Sequence, residues 1–282
     1  MKYKMIACDI DGTLLDDKRQ ISKELKDKIN EVSKLGIYFI LSSGRPYMTL
    51  RQYVELIGED YKCANMIALN GASACINGNV IYNKFLSKTA KIKILKYISN
   101  NNLSYIAWSE DTLFYNRIDK YTNEYINICI ESTKKYLNLN HVKATDSTII
   151  NKDIYKIIII DESQKIEEIR LDFNNNFSTL CAFSTSQSYF LEIYKKGISK
   201  AYAIKKIQKA LNIKRSEIIA IGDGLNDIEM IRYAHIGVAM QNANEYVKQK
   251  ANYICSDNNH NGVAEVIKKF IIGDKNEENK RR

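Results

Sequence analysis

The chain has very little proline and no long hydrophobic run. It contains 282 residues with a single proline, and no Pro/Gly/Ser-rich linker divides it. No window approaches the run of about 18 to 20 apolar residues that spans a bilayer, and the N-terminus shows no secretory signal pattern. We therefore expect a cytoplasmic protein with no membrane partner.

Cysteine and histidine are too scattered to form a zinc site or a disulfide framework. No two cysteines form a CxxC pair, and the three histidines are far apart in the chain. We expect all six cysteines to be reduced, buried small hydrophobes. They are Cys8, Cys63, Cys75, Cys129, Cys181 and Cys255. Any bound metal must then have oxygen ligands.

The formal net charge of +9 raises the possibility of nucleic-acid binding. The lysines, however, are spread over nearly every predicted helix, and no compact basic block with interleaved aromatic residues is present. We therefore expect no nucleic-acid partner. The final stretch, GDKNEENKRR at 273–282, is polar throughout and is predicted to be a disordered tail.

The remaining sequence predicts an α/β protein. Strand-like runs and amphipathic helical patterns alternate in residues 1–83 and return in residues 189–272. The pattern changes character between residues 84 and 188. We predict a Rossmann-like, doubly wound parallel-sheet core in two halves, with an α/β cap domain inserted between them.

Two carboxylates stand close together in the stretch CDIDGTLLD. The run MIACDI is predicted to be a strand, in which residues two apart point to the same side, so Asp9 and Asp11 should both face a site. Two carboxylates so close repel each other unless something positive lies between them. Gly12 then lets the chain turn and bring its backbone amides near an anion.

A second stretch, FILSSGRPYM, is typical of a phosphate-binding helix start. The strand ends at Ser43 and Gly44, and Pro46 is expected at the first helical position, where its missing N–H costs nothing. A helix N-terminus beside a hydroxyl and a glycine attracts phosphate. Two roles are open for Arg45: contact with the substrate, or an ion pair with an acidic residue of a helix.

Two further stretches lie late in the chain. In KKGISKAYAI, Ser199 is a predicted N-cap and Lys200 lies in the first helical turn, where a cation opposes the helix dipole. In IAIGDGLNDIEM, Asp223 ends a predicted strand, and Asn226 and Asp227 open the next helix. In an open parallel sheet, ligands bind beyond such strand ends.

In order, these four stretches resemble the four motifs of the haloacid dehalogenase (HAD) superfamily of phosphotransferases. The matching residues are DxDGT, the serine of SSGR, the lysine of GISK, and GDGLND. Four motifs in this order, each at a predicted strand end or helix start, leave little room for coincidence. The insertion between the second and third motifs is most similar to the Cof-type branch, which carries a type IIB cap.

The resemblance implies a Mg²⁺-dependent phosphatase that hydrolyses small phosphate monoesters, such as sugar phosphates. Asp9 would attack phosphorus and form an aspartyl phosphate, and Asp11 would act as acid and then base. The implied metal ligands are Asp9, Asp223, the backbone carbonyl of Asp11, and Asp227 either directly or through water. The implied phosphate-binding residues are Gly12, Ser43, Gly44, Lys200 and Asn226.

Three other interpretations of these motifs are compatible with the sequence. The DxDG stretch also occurs in turns and calcium loops, although no downstream glutamate completes a calcium loop here. A phosphomutase of the same superfamily would return the phosphoryl group to a sugar. A non-catalytic binder of phosphorylated ligands would be marked by loss of Asp9 or Asp11, and both are present.

The four motifs can recognise a phosphoryl group but contain little that distinguishes one alcohol from another. We therefore expect the inserted domain, about residues 84–188, to be a mobile lid that selects the leaving group. Trp108, Tyr115 and Arg117 are candidates to face the substrate, although a lone tryptophan more often belongs to a core.

Overall fold

The computed structural model describes residues 2–58, 64–134, 139–185 and 187–273. Cys63 and all but the first residue of the predicted tail, 273–282, lie outside the described residues. The chain divides into two compact units. So far as these ranges are described, unit 1 consists of Met1–Gly44, Tyr53–Tyr82 and Ser199–Arg282, and unit 2 of Arg45–Gln52 and Asn83–Ile198.

Strands and helices alternate along most of the described chain, as its pattern predicts. The strands are β1 (Met5–Asp9), β2 (Tyr38–Ser42), β3 (Met66–Ala68), β4 (Ser73–Ile76), β5 (Asn79–Asn83), β6 (Ser104–Trp108), β7 (Thr112–Tyr115), β8 (Asn140–Lys143), β9 (Lys156–Ile160), β10 (Cys181–Ser184), β11 (Phe190–Lys195), β12 (Ile218–Gly222), β13 (Ile236–Met240) and β14 (Tyr253–Cys255). The helices are α1 (Lys23–Lys34), α2 (Tyr47–Leu56), α3 (Lys88–Asn100), α4 (Lys120–Thr133), α5 (Asp146–Asn151), α6 (Ser163–Asn176), α7 (Lys200–Ala210), α8 (Ile228–Tyr233), α9 (Glu245–Lys248) and α10 (Gly262–Ile267).

Unit 1 is built on an eight-stranded sheet in the order β14-β13-β12-β1-β2-β3-β4-β5. Neighbouring strands from β14 to β3 are parallel, and β4 pairs antiparallel with β3. Asp9 at the end of β1 pairs with Ser42 at the end of β2, and Cys8 pairs with Ile221 in β12. The carboxyl ends of these three strands therefore meet at one edge of the sheet, where open parallel sheets bind ligands.

Side-chain caps begin two of the helices of unit 1, and the one at Ser199 is the predicted cap. The Ser22 hydroxyl caps α1 and the Ser199 hydroxyl caps α7, each by accepting a backbone N–H. Such a cap stabilises a helix by about 1 kcal/mol. Ile204 and Ile207 on α7 belong to the apolar core that covers one face of the sheet. Lys200, the first residue of α7, is therefore held on a firmly packed helix.

Unit 2 is built on a six-stranded sheet in the order β10-β11-β9-β6-β7-β8. Its strand pairs are antiparallel, apart from the parallel pair of β7 and β8. One apolar cluster of this unit contains Tyr105 and Ile157, and another contains Trp108 and Ile158. Successive residues of a strand point to opposite faces, so both faces of this sheet are covered.

The inserted domain ends later in the chain than the sequence pattern predicts. We expected the core to resume at residue 189, but β11 pairs with both β9 and β10, and unit 2 continues to Ile198. By its contacts, Arg45–Gln52 also belongs to unit 2, although its pattern placed it in the first half of the core. Backbone pairing and packing, which the local pattern does not specify, decide both assignments.

The cysteines of the described part of the chain form no disulfides and are buried, as predicted. Burial raises the pKa of the Cys8 thiol, which keeps this group protonated and unreactive. No helix in the described ranges is both long and apolar enough to cross a membrane.

Candidate active site

Asp9 is the last residue of β1, and only 8% of it is exposed. The chain leaves the strand in a tight turn at Ile10–Leu14, in which Gly12 has a φ of 76°. Asp11 lies in this turn and is exposed, whereas the residue before it is buried. Because β1 ends at Asp9, the position of Asp11 is set by this turn and not by strand alternation.

The ammonium group of Lys200 lies between two carboxylates. Lys200 is completely buried, and its Nζ donates to Asp9 Oδ1 and, at 2.6 Å, to Asp227 Oδ1. Burial alone would lower the pKa of this ammonium group, but the carboxylates of Asp227 and Asp9 together raise it above its ordinary value. Lys200 therefore stays charged, and the two carboxylates offset the unfavourable helix dipole.

Asp227 closes the loop that follows β12. Its Oδ2 accepts hydrogen bonds from the backbone amides of Asp223 at 3.1 Å and Gly224 at 2.9 Å, while Oδ1 accepts from Lys200. A Cβ at Gly222 would lie 2.5 Å from Asp227 Cγ, so no side chain fits there. Both oxygens of this fully buried carboxylate thus organise the loop and Lys200.

Asp223 lies just after β12 and is held by the turn that follows β1. Thr13 Oγ1 donates to Asp223 Oδ1 at 2.7 Å. A Cβ at Gly12 would lie 2.5 Å from Asp223 Oδ2, so glycine is required here for close approach as well as for its positive φ. Burial raises the pKa of Asp223 to about 6, although the hydroxyl of Thr13 opposes this rise.

The carboxylates of Asp9, Asp223 and Asp227 form a cluster that fits a divalent cation. One oxygen from each lies within 4.8 Å of the others. Three carboxylates here face the single ammonium group of Lys200, which leaves an excess of negative charge. Burial, and after it the charge of Asp227, raises the pKa of Asp9 despite Lys200. A hard cation would relieve this excess, and Mg²⁺ prefers oxygen ligands of this kind.

The predicted phosphate-binding groups lie at or near the same edge of unit 1. Ser43 and Gly44 follow β2 directly, and Ser43 is buried. Asn226, in the loop after β12, is exposed, and its Nδ2 donates to Asn70 Oδ1 at 3.1 Å. The site residues predicted from the sequence all belong to unit 1; they are Asp9, Asp11, Gly12, Ser43, Gly44, Lys200, Asp223, Asn226 and Asp227.

Three further residues, which are not among the predicted site residues, organise this edge. Thr13 holds Asp223, and Asn70 accepts from the Asn226 amide. Asn242 Nδ2 donates to the carbonyl oxygen of Gly12 at 2.8 Å. Asn242 comes shortly after β13, a parallel strand of the same sheet. Because ligands bind beyond the carboxyl ends of such strands, its position in the sequence could have identified it.

The aromatic and basic candidates in the inserted domain have structural partners. Trp108 is fully buried, and its Nε1 donates to the Tyr125 hydroxyl at 2.9 Å. The Arg117 guanidinium donates to the Ser104 hydroxyl and to two oxygens of Asn102. These contacts indicate that the tryptophan belongs to the core and that the arginine has a structural role.

A family model described as haloacid dehalogenase-like hydrolase matches residues 6–267. The chain belongs to this family. Its similarity to individual proteins also extends over nearly the whole chain. It is 30% identical over 272 residues to the 5-amino-6-(5-phospho-D-ribitylamino)uracil phosphatase YcsE of Bacillus subtilis, covering 95% of this chain and 96% of that protein.

Solved structures of haloacid dehalogenase-like hydrolases share the fold. One from Bacteroides thetaiotaomicron matches with a TM-score of 0.81 and 27% identity, over 94% of this chain and 98% of the other. The subclass IIB sugar phosphatase BT4131 matches with a TM-score of 0.75 and 22% identity, over 94% and 97% of the two chains. The predicted superfamily, fold class and enzyme class, a phosphoric monoester hydrolase, are confirmed.

Proposed function

We propose that this hydrolase is a Mg²⁺-dependent phosphatase of small phosphate monoesters, acting through an aspartyl-phosphate intermediate on Asp9. One observation carries the proposal. The Asp9 carboxylate lies at the end of a central strand, beside a buried ammonium group and within a cluster of three carboxylates. A nucleophile, a fixed cation and oxygen ligands for a metal ion are the groups that phosphoryl transfer requires.

The reaction proceeds in two steps. In the first, an Asp9 carboxylate oxygen forms a bond to phosphorus while the bond from phosphorus to the alcohol oxygen breaks. Asp11 donates its proton to the departing alkoxide. In the second, Asp11 takes a proton from a water molecule, which attacks phosphorus and releases Asp9 and inorganic phosphate.

The other groups neutralise and orient the phosphoryl group. Lys200 is a point charge for a phosphate oxygen, and Gly12, Ser43, Gly44 and Asn226 offer backbone or side-chain donors for the remaining oxygens. Held by Asp9, Asp223 and the Asp11 carbonyl, with Asp227 as a direct or water-mediated ligand, Mg²⁺ would offset the repulsion between carboxylate and phosphate.

We propose small phosphorylated metabolites of the sugar-phosphate type as substrates. The relative at 30% identity is named for a substrate that carries its phosphate on a ribityl chain, which is a small, polar, sugar-derived alcohol. The inserted domain is proposed as the cap that selects among such alcohols, because every predicted site residue, all in unit 1, serves the phosphoryl group or the metal ion.

The proposal is tested with a panel of phosphate monoesters and a measurement of released phosphate. Turnover of sugar phosphates supports it, and the absence of turnover on every ester would contradict it. A hexose 1-phosphate included in the panel separates hydrolysis from the mutase reaction, because a mutase forms the 6-phosphate and releases no phosphate.

Removal of divalent metal is expected to abolish turnover. With p-nitrophenyl phosphate as substrate, EDTA should stop phosphate release and added Mg²⁺ should restore it. Excess Ca²⁺ should inhibit, because calcium accepts more ligands at longer distances and would misalign the Asp9 carboxylate. Full activity in EDTA would show that turnover does not depend on a metal ion at the carboxylate cluster.

The Thr13→Val variant is expected to bind Mg²⁺ more weakly. Valine keeps the shape of threonine but removes the hydroxyl group that orients the Asp223 carboxylate. We expect the Mg²⁺ concentration for half-maximal activity to rise about tenfold, as for other partners of metal ligands. Thr13→Ser keeps the hydroxyl and is the matched control, with an activation constant near that of the wild type. Equal constants for all three proteins would contradict this role of Thr13.

A further inference from the structure

Between β3 and β4 the chain passes through three consecutive residues with positive φ. Leu69, Asn70 and Gly71 have φ values of 54°, 53° and 98°. Leu69 and Asn70 are also buried. The left-handed region suits glycine, is tolerated by asparagine and is unfavourable for leucine. Such a conformation persists only where the surrounding contacts determine it.

Asn70 contacts two of the segments that carry predicted phosphate-binding groups. Its backbone N–H donates to the Ser43 carbonyl at 3.0 Å, and its Oδ1 accepts from Asn226 Nδ2 at 3.1 Å. A Cβ at Gly44 would lie 3.0 Å from the same Oδ1, so the Asn70 side chain packs directly over this turn.

Gly71 fixes the same loop against the helix that carries Lys200. A Cβ at Gly71 would lie 2.1 Å from the Ser199 carbonyl oxygen and 3.2 Å from the Lys200 amide nitrogen. The Tyr82 hydroxyl donates to the Gly71 carbonyl at 2.8 Å. The backbone of the loop is thus held independently of Asn226, which is exposed.

We propose that Asn70 is a positioning residue for phosphate binding. Its buried side-chain amide holds the exposed Asn226 beside the turn at Ser43 and Gly44, so that donors from distant segments point to one phosphate. This inference rests on the proposed function, in which these three residues hold phosphate oxygens. Asn70 itself acts through Asn226 and does not touch the substrate.

The Asn70→Gly variant tests the proposal. Glycine adopts the left-handed conformation freely, so the side chain is removed without new backbone strain. The probe is inorganic phosphate in the presence of Mg²⁺, with its apparent Kd taken from the rise in Tm with phosphate concentration. We expect Kd to rise about fivefold, the usual effect of losing one hydrogen bond, with little change in Tm without phosphate.

A double-mutant cycle with Asn226→Ala separates positioning from general stabilisation. If Asn70 acts through Asn226, then Asn70→Gly should change the Kd of the Asn226→Ala protein by less than about twofold. Asn212→Gly is the matched control, because Asn212 is also left-handed (φ 51°) and lies exposed after α7. Its Kd for phosphate should equal that of the wild type.

Two results would overturn the role of Asn70: an unchanged Kd in Asn70→Gly, or an effect that adds in full to that of Asn226→Ala. Because Kd is measured without turnover, the role of Asn70 is decided separately from catalysis. If the wild type bound phosphate but hydrolysed no ester, the proposed function would be contradicted, and the double-mutant cycle would still decide the role of Asn70. If phosphate did not raise the Tm of the wild type, both the proposed function and the role of Asn70 would be contradicted.

Discussion

We expect the Asp9→Asn variant to fold normally and to lose at least about 10⁴-fold in turnover. The amide keeps the shape of the carboxylate but cannot form the aspartyl phosphate. Lys200 would still be paired with Asp227, and the excess negative charge of the cluster would fall. The melting temperature should therefore stay close to that of the wild type. Thermal melts and steady-state assays with p-nitrophenyl phosphate check both parts.

Asp16→Asn is the matched control for this variant. Asp16 lies seven residues further along the chain, and its Oδ1 accepts from the backbone amide of Gln20 at 2.7 Å. An asparagine oxygen can accept the same hydrogen bond, so both rate and stability should be unchanged. The covalent mechanism would be wrong if purified Asp9→Asn protein released phosphate at a rate near that of the control.

The sequence could predict the segments of the site because each is marked by a local signal. The apolar run that ends at Asp9, the glycines of the GDG turn and the Ser199 cap depend on residues close in the chain. A parallel sheet then brings strand ends to one edge. Asp9, Asp223 and Asp227 are therefore expected near one another, and their oxygens do form a cluster.

Contacts between distant segments could not be predicted in the same way. Thr13 and Asp223 are 210 positions apart, and their hydrogen bond depends on how two turns approach each other. Nor could the three consecutive positive φ values at Leu69, Asn70 and Gly71 be predicted, because the contacts that impose them come from other segments. The pairing of β11 was missed for a similar reason, since an apolar strand fits either sheet by pattern alone.

Replacement of Lys200 by methionine is expected to have a large effect on stability. Methionine fills much of the same volume, but the buried carboxylates of Asp9 and Asp227 lose their only ammonium partner in the described structure. Removing one member of a buried ion pair costs about 3–5 kcal/mol of unfolding free energy. Turnover should also fall at least about 100-fold, because the fixed charge on the phosphoryl oxygens is lost.

Urea unfolding in EDTA and in Mg²⁺ tests the origin of this loss in Lys200→Met. Because a divalent cation can neutralise the same carboxylates, Mg²⁺ should stabilise this variant more than it stabilises the wild type. Lys206→Met is the matched control: Lys206 is exposed on the same helix, so its removal should change the unfolding free energy by less than about 0.5 kcal/mol. If Lys200→Met were as stable as this control in EDTA, Lys200 would not be the charge that holds the carboxylates together.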